Sequence, residues 1–147
     1  MFVETILPAA RDRLATLEEG APLVEAAKRL RGPGARLVVV CAADGRMRGV
    51  VSKTDVVDRI SQCSGASCTT SVSSVMTREV ISCRPDAPLR DVWSAMTSRG
   101  LEHVPVVDAD GRPQGVLAAR QVMEALLGEA EQEEELLRAY VMCVGYR

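Results

Sequence analysis

The stretch "ADGRMRGVVSKTD", Ala43–Asp55, returns sixty-six residues later as "ADGRPQGVLAARQ", Ala109–Gln121. The correspondence extends in both directions. Residues 21–56 align on residues 87–122 without a gap, and about a third of the positions are identical, where chance gives only a few. The pairs include Ala21/Ala87, Pro22/Pro88, Leu23/Leu89, Gly34/Gly100, Val38/Val104, Val40/Val106, Gly49/Gly115 and Val56/Val122. An unbroken register means two copies of one supersecondary unit, not two regions of similar composition.

Each copy reads β-α-β-β-α. A short strand is expected near Leu14–Leu17 and again over Glu79–Cys83. A proline-opened helix follows. "PLVEAAKRL" sets Leu23, Ala26, Ala27 and Leu30 on one face, and "PLRDVWSAM" sets Leu89, Val92, Trp93 and Met96 on the matching face. A glycine ends or follows the helix, Gly32 or Gly34 in the first copy and Gly100 in the second. The apolar strands "RLVVVC" and "EHVPVVD" then run into Asp-Gly turns, which favour hairpins because glycine accepts positive φ. A second strand leads straight into a second helix. One such unit covers only one sheet face with its own helices, so two copies cover each other. The expected fold class is α+β, with two β-α-β-β-α repeats packed through their sheets.

The 147 residues divide into an arm (1–12), repeat 1 (13–62), a small polar linker (63–71), repeat 2 (72–128) and an acidic helix with an apolar tail (129–147). Aromatic residues are only 3%, so Val, Leu, Ala and Met must fill the core. A formal net charge of −2 gives no electrostatic case for nucleic acid or anionic lipid. The apolar run "LVVVCAA", Leu37–Ala43, is too short to cross a bilayer. The first residues carry no leader pattern, and a cytoplasmic protein is expected. The five cysteines form no CxxC pair and read as reduced, largely core-facing thiols; a Cys63–Cys68 disulfide is the lesser alternative. The glutamates of 129–135 read as a solvated helix face.

The segments "VSSVMTREVISCRPDAPLRDVWSAM", "GLEHVPVVDADGRPQGVL" and "GVVSKTDVV" together resemble a tandem pair of cystathionine-β-synthase (CBS) domains, a Bateman module. The second copy is the closer match; Val39 stands where Pro105 carries the family proline. The resemblance implies halves packed through their sheets, clefts that bind adenosyl compounds, and regulation of other proteins in place of catalysis. It also implies candidate ligand contacts. Gly49, Ser52 and Asp55 match the family's Gly-h-x-Ser/Thr-x-x-Asp stretch, which meets the nucleotide sugar and phosphate. Arg36 stands where some members carry a phosphate-contacting arginine. Val80, Ile81 and Ser82 lie where relatives line the adenine pocket, and Lys53 and Thr54 flank the motif.

The chemistry is sound from below. A carboxylate accepts from two vicinal ribose hydroxyls, a helix start offers free N–H groups to phosphate, and glycine permits close backbone approach. A second reading stands beside it. "SKTD" is also a capping box, in which Ser52 and Asp55 satisfy backbone N–H groups. The second copy begins the equivalent helix with Ala118 and Gln121, so the fold does not require that cap. Ala118 offers phosphate no hydrogen bond, and Gln121 lacks the charge suited to a diol. One nucleotide site, in the first half, is therefore expected.

His103, the one histidine, reads as structural. No phosphate loop, HExxH pair or nucleophile elbow is present in the sequence, so no enzyme is expected. The expectation is a regulatory module that needs no cofactor and binds AMP, ADP, ATP or another adenosyl compound. It would act on an unidentified partner protein and dimerise through apolar helix faces such as that around Trp93. The alternative is a ligand-free interaction scaffold whose Leu136, Leu137, Tyr140, Val141 and Met142 dock on a partner.

Overall fold

The computed structural model describes residues 1–32, 36–61 and 70–145. Gly34, the Cys63–Cys68 pair and nearly all of the 63–71 linker lie outside those residues.

A 3₁₀ turn (Val3–Ile6) opens into α1 (Leu7–Asp12). The first unit follows as β1 (Thr16–Glu18), α2 (Leu23–Arg29), β2 (Leu37–Cys41), β3 (Met47–Ser52) and α3 (Lys53–Ser61). After a second 3₁₀ turn (Val72–Ser74) come α4 (Leu89–Arg99), β4 (His103–Val107), β5 (Pro113–Ala118) and the long α5 (Ala119–Gly145). The two hairpins are near copies. Val39 faces Val50 in one and Pro105 faces Val116 in the other, and each slips register at its turn end, at Val40/Cys41 and Val106/Val107. Gly45 and Gly111 hold the turns at φ of 88° and 84°, a region that side chains with a Cβ avoid. Gly100 ends α4 in the left-handed conformation, as expected.

One expected strand is missing. β1 pairs in parallel with β2 over three residues, whereas residues 79–83 make only a single bridge, Cys83 to Val106. The cause is the proline. Val39 donates its N–H to the Ala15 carbonyl at 2.8 Å; at the equivalent place Pro105 has no N–H to give Ile81. The ladder therefore closes only at Cys83, whose N–H donates to the Pro105 carbonyl at 3.0 Å.

Successive side chains of a strand point to opposite faces, and both faces of β2 are buried. Val38 and Val40 pack with Leu23, Ala26, Leu30, Val51 and Val56 in the first unit's core. Val39 and Cys41 turn the other way and meet Val116, so the halves do pack through their sheets. The hairpin turns also touch: Met47 N–H donates to the Gly111 carbonyl at 2.9 Å and Arg112 Nε to the Asp44 carbonyl at 3.2 Å.

The leading segment of each unit is exchanged. Val3, Leu7 and Ala10 are buried in the second unit's core, among Leu89, Val92, Met96 and Leu117. Val72 and Met76 are buried in the first unit's core. The backbone follows suit, with Val3 N–H donating to the Ala87 carbonyl at 3.0 Å and Val72 N–H to the Ala21 carbonyl at 2.9 Å.

One expectation about apolar surface needs correction. Trp93 is half-buried and packs against its own unit's core, so it offers little apolar surface for a partner. Among the described residues, the exposed large apolar groups are Met1 and Phe2, Val57 and Ile60 on α3, and Met123, Leu127, Leu136, Leu137, Tyr140, Val141 and Met142 along α5. Among the described residues no helix is long and apolar enough to cross a membrane.

Candidate ligand-binding cleft

Where β3 runs into α3, a cleft of about 450 Å³ opens between the halves. Its floor is the helix start. Ser52 N–H donates to Asp55 Oδ2 at 2.9 Å, and Asp55 N–H donates to Ser52 Oγ at 3.2 Å. The capping box foreseen in "SKTD" is thus formed in full. It uses one oxygen of the carboxylate. Among the described residues, Oδ1 receives no hydrogen bond, and both Ser52 and Asp55 line the open cleft. Capping and ligand binding are not exclusive here, because the cap fixes the carboxylate while leaving an acceptor beside the cavity.

Of the residues singled out in the sequence, Arg36, Ser52, Lys53, Thr54, Asp55, Val80 and Ile81 come together in this one cleft. Two do not. Gly49 faces away: a Cβ there would lie 2.6 Å from the Thr77 carbonyl oxygen and 2.9 Å from Met76 Sδ. The close approach that requires glycine is made by the chain itself, through the exchanged segment, and Gly115 repeats it with a Cβ 2.8 Å from the Ala10 carbonyl carbon. Ser82 opens onto a neighbouring depression with Cys83, Asp91 and Val92.

The walls include residues that the motif did not indicate: Thr77, Glu79, Leu101, Glu102, His103 and Pro105. The repeat did carry a signal for two of them. Arg36 and Leu37 correspond in register to Glu102 and His103, and a two-fold pseudosymmetric packing brings such equivalents face to face. Val80, Ile81 and Pro105 supply an apolar wall, and the proline that halts the β-ladder leaves the 80–81 segment turned to the cavity. His103 is half-buried. Burial pushes its imidazole below the usual value; Glu102 opposes that shift, and Arg13 and Arg36 add to it.

The equivalent helix start in the second half is different. Gln121 Oε1 accepts a hydrogen bond from Arg13 Nη1, and Ala119 N–H donates to the Glu102 carbonyl at 2.8 Å. No hydroxyl or carboxylate stands at Ala118 or Gln121.

A sequence model of the CBS domain matches residues 3–62 and again residues 72–128. Among solved structures, the chain is similar to a CBS-domain-containing protein from Agrobacterium tumefaciens, with 31% identity, a TM-score of 0.72, and 85% of this chain and 98% of that one covered. It is also similar to the cytosolic domain of the Mg2+ channel MgtE in complex with ATP, with 26% identity, a TM-score of 0.66, and 77% and 45% covered. Among curated proteins, the homoserine O-acetyltransferase of Methanohalophilus mahii is 28% identical over 116 residues, 79% of this chain. The chain spans only 23% of that protein's length.

Proposed function

Because the chain belongs to the CBS-domain family and carries that domain twice, we propose that it is a regulatory module that binds an adenosyl compound in the Ser52–Asp55 cleft. The observation that carries this reading is the open carboxylate oxygen at a capped helix start, in a cavity with an apolar wall opposite. Asp55 Oδ1 accepts from a ribose hydroxyl. Arg36 and Lys53 attract phosphate, the guanidinium through its planar fork. Val80, Ile81 and Pro105 cover the adenine. The ATP held by the MgtE cytosolic domain supports the ligand class and not its identity.

Binding regulates by favouring one packing of the halves over another, in proportion to its different affinity for the two. The cleft is lined from both halves, by Asp55 of the first and Ile81 of the second, so a ligand that bridges them has that differential contact. The output is a protein partner, and the proposed assembly is a homodimer.

Calorimetric titration with AMP, ATP, S-adenosylmethionine and NAD tests the reading. Asp55→Asn keeps an acceptor for the Ser52 N–H but removes the charge. Saturable binding of at least one adenosyl compound, weakened about tenfold in Asp55→Asn, in line with a charge-assisted hydrogen bond, supports the sensor. A folded protein that binds none of the four is the scaffold instead.

A further inference from the structure

The charges around the cleft do not suit a polyphosphate. Two cations, Arg36 and Lys53, face three carboxylates, Asp55, Glu79 and Glu102. None of the five forms a salt bridge among the described residues, so no nearby partner neutralises them. Asp55 is committed to the sugar by the reading above, which leaves Glu79 and Glu102 near the phosphate path. Neither of two further cations lines the cleft: Arg13 donates to Gln121, and Arg99 lines an adjoining depression with Glu79. His103 is held toward its neutral form by burial.

We infer that the cleft selects adenosyl ligands of low negative charge, a nucleoside monophosphate or an uncharged or cationic adenosyl compound, over the triphosphate. The inference rests on the proposed binding site and narrows its ligand. Glu79 and Glu102 are both exposed, so they discriminate through the field at the cleft mouth and leave the fold unaffected. A unit charge at roughly 7 Å in a water-like medium changes an affinity about threefold, less with salt. The two extra charges of ATP over AMP make the expected difference about fivefold at low ionic strength.

The test is titration of AMP, S-adenosylmethionine and metal-free ATP into the full chain at about 20 mM and about 500 mM salt, where the Debye length differs several-fold. The same series is run on Glu79→Gln/Glu102→Gln. The expected result is AMP and S-adenosylmethionine binding more tightly than ATP at low salt, the gap narrowing at high salt and closing in the double variant. ATP binding as tightly as AMP, or a gap untouched by the double variant, overturns the inference and leaves the site standing. Silence from all three ligands overturns both.

Discussion

The carboxylate of Asp55 divides its work between two oxygens, and the consequences separate by substitution. Asp55→Ala removes the Ser52 N–H acceptor as well as the charge. A lost N-cap partner costs about 1 kcal/mol, and urea unfolding is expected to show that loss. Asp55→Asn keeps the acceptor, so its midpoint stays near wild type while its ligand affinity falls. Equal destabilisation by both would mean that the charge, not the acceptor, holds the helix start. His103 gives a pH prediction. Its folded pKa lies below the ordinary value of 6.5, chiefly through burial, so between the two values the unfolded chain binds the proton more readily. The sign follows from linkage: the contribution is full above the unfolded pKa and is lost as pH falls through that window. Thermal midpoints are expected to drop as pH is lowered from 7 toward the folded pKa, and to drop less in His103→Gln. Identical pH profiles would remove His103 from the account.

At the scale of the element, the paired glycines report on the exchanged segments. A Cβ at Gly115 meets backbone atoms of Ala10 at 2.8 and 2.9 Å, and one at Gly49 meets the Thr77 oxygen at 2.6 Å. Backbone yields less readily than a side chain, so Gly115→Ala is expected to cost about 1–3 kcal/mol, as overpacking does, and to raise protease sensitivity around residues 1–12. Unchanged stability and cleavage would show that the segment can shift freely. Val39→Pro copies the Pro105 condition into the first unit. It removes the Val39–Ala15 bond and is expected to destabilise by about 1–2 kcal/mol, with faster amide exchange in β1. The repeat register made most of these elements readable. It placed both hairpins, both Asp-Gly turns and the helix faces, because period and turn chemistry are local. It misplaced the 79–83 strand, although Pro105 lay in plain view, because a missing donor matters only once its partner strand is known. Gly49 was misjudged for a like reason. The sequence marks the close approach, and only the tertiary exchange says what approaches.

Considered whole, the molecule is two pseudosymmetric halves with an asymmetric chemistry. The repeat predicted that difference at Ser52/Ala118 and Asp55/Gln121, and the cleft forms around the polar pair. Glu79 carries no local sequence mark, Glu102 was legible only through its register with Arg36, and His103 read as structural where it lines the cleft. The exposed apolar groups of α3 and α5 favour the proposed homodimer, which sedimentation would detect as twice the 15.8 kDa chain mass; a single-chain mass at micromolar concentration would exclude it. The most direct test of the central claim is a backbone amide NMR titration with AMP. The expected result is that the largest shifts group at Ser52–Asp55, Val80–Ile81 and Glu102–His103, with smaller ones at Ala118–Gln121, where Ala119 N–H donates to the Glu102 carbonyl. Shifts centred on Ala118–Gln121, or none at all in the folded protein, would contradict it.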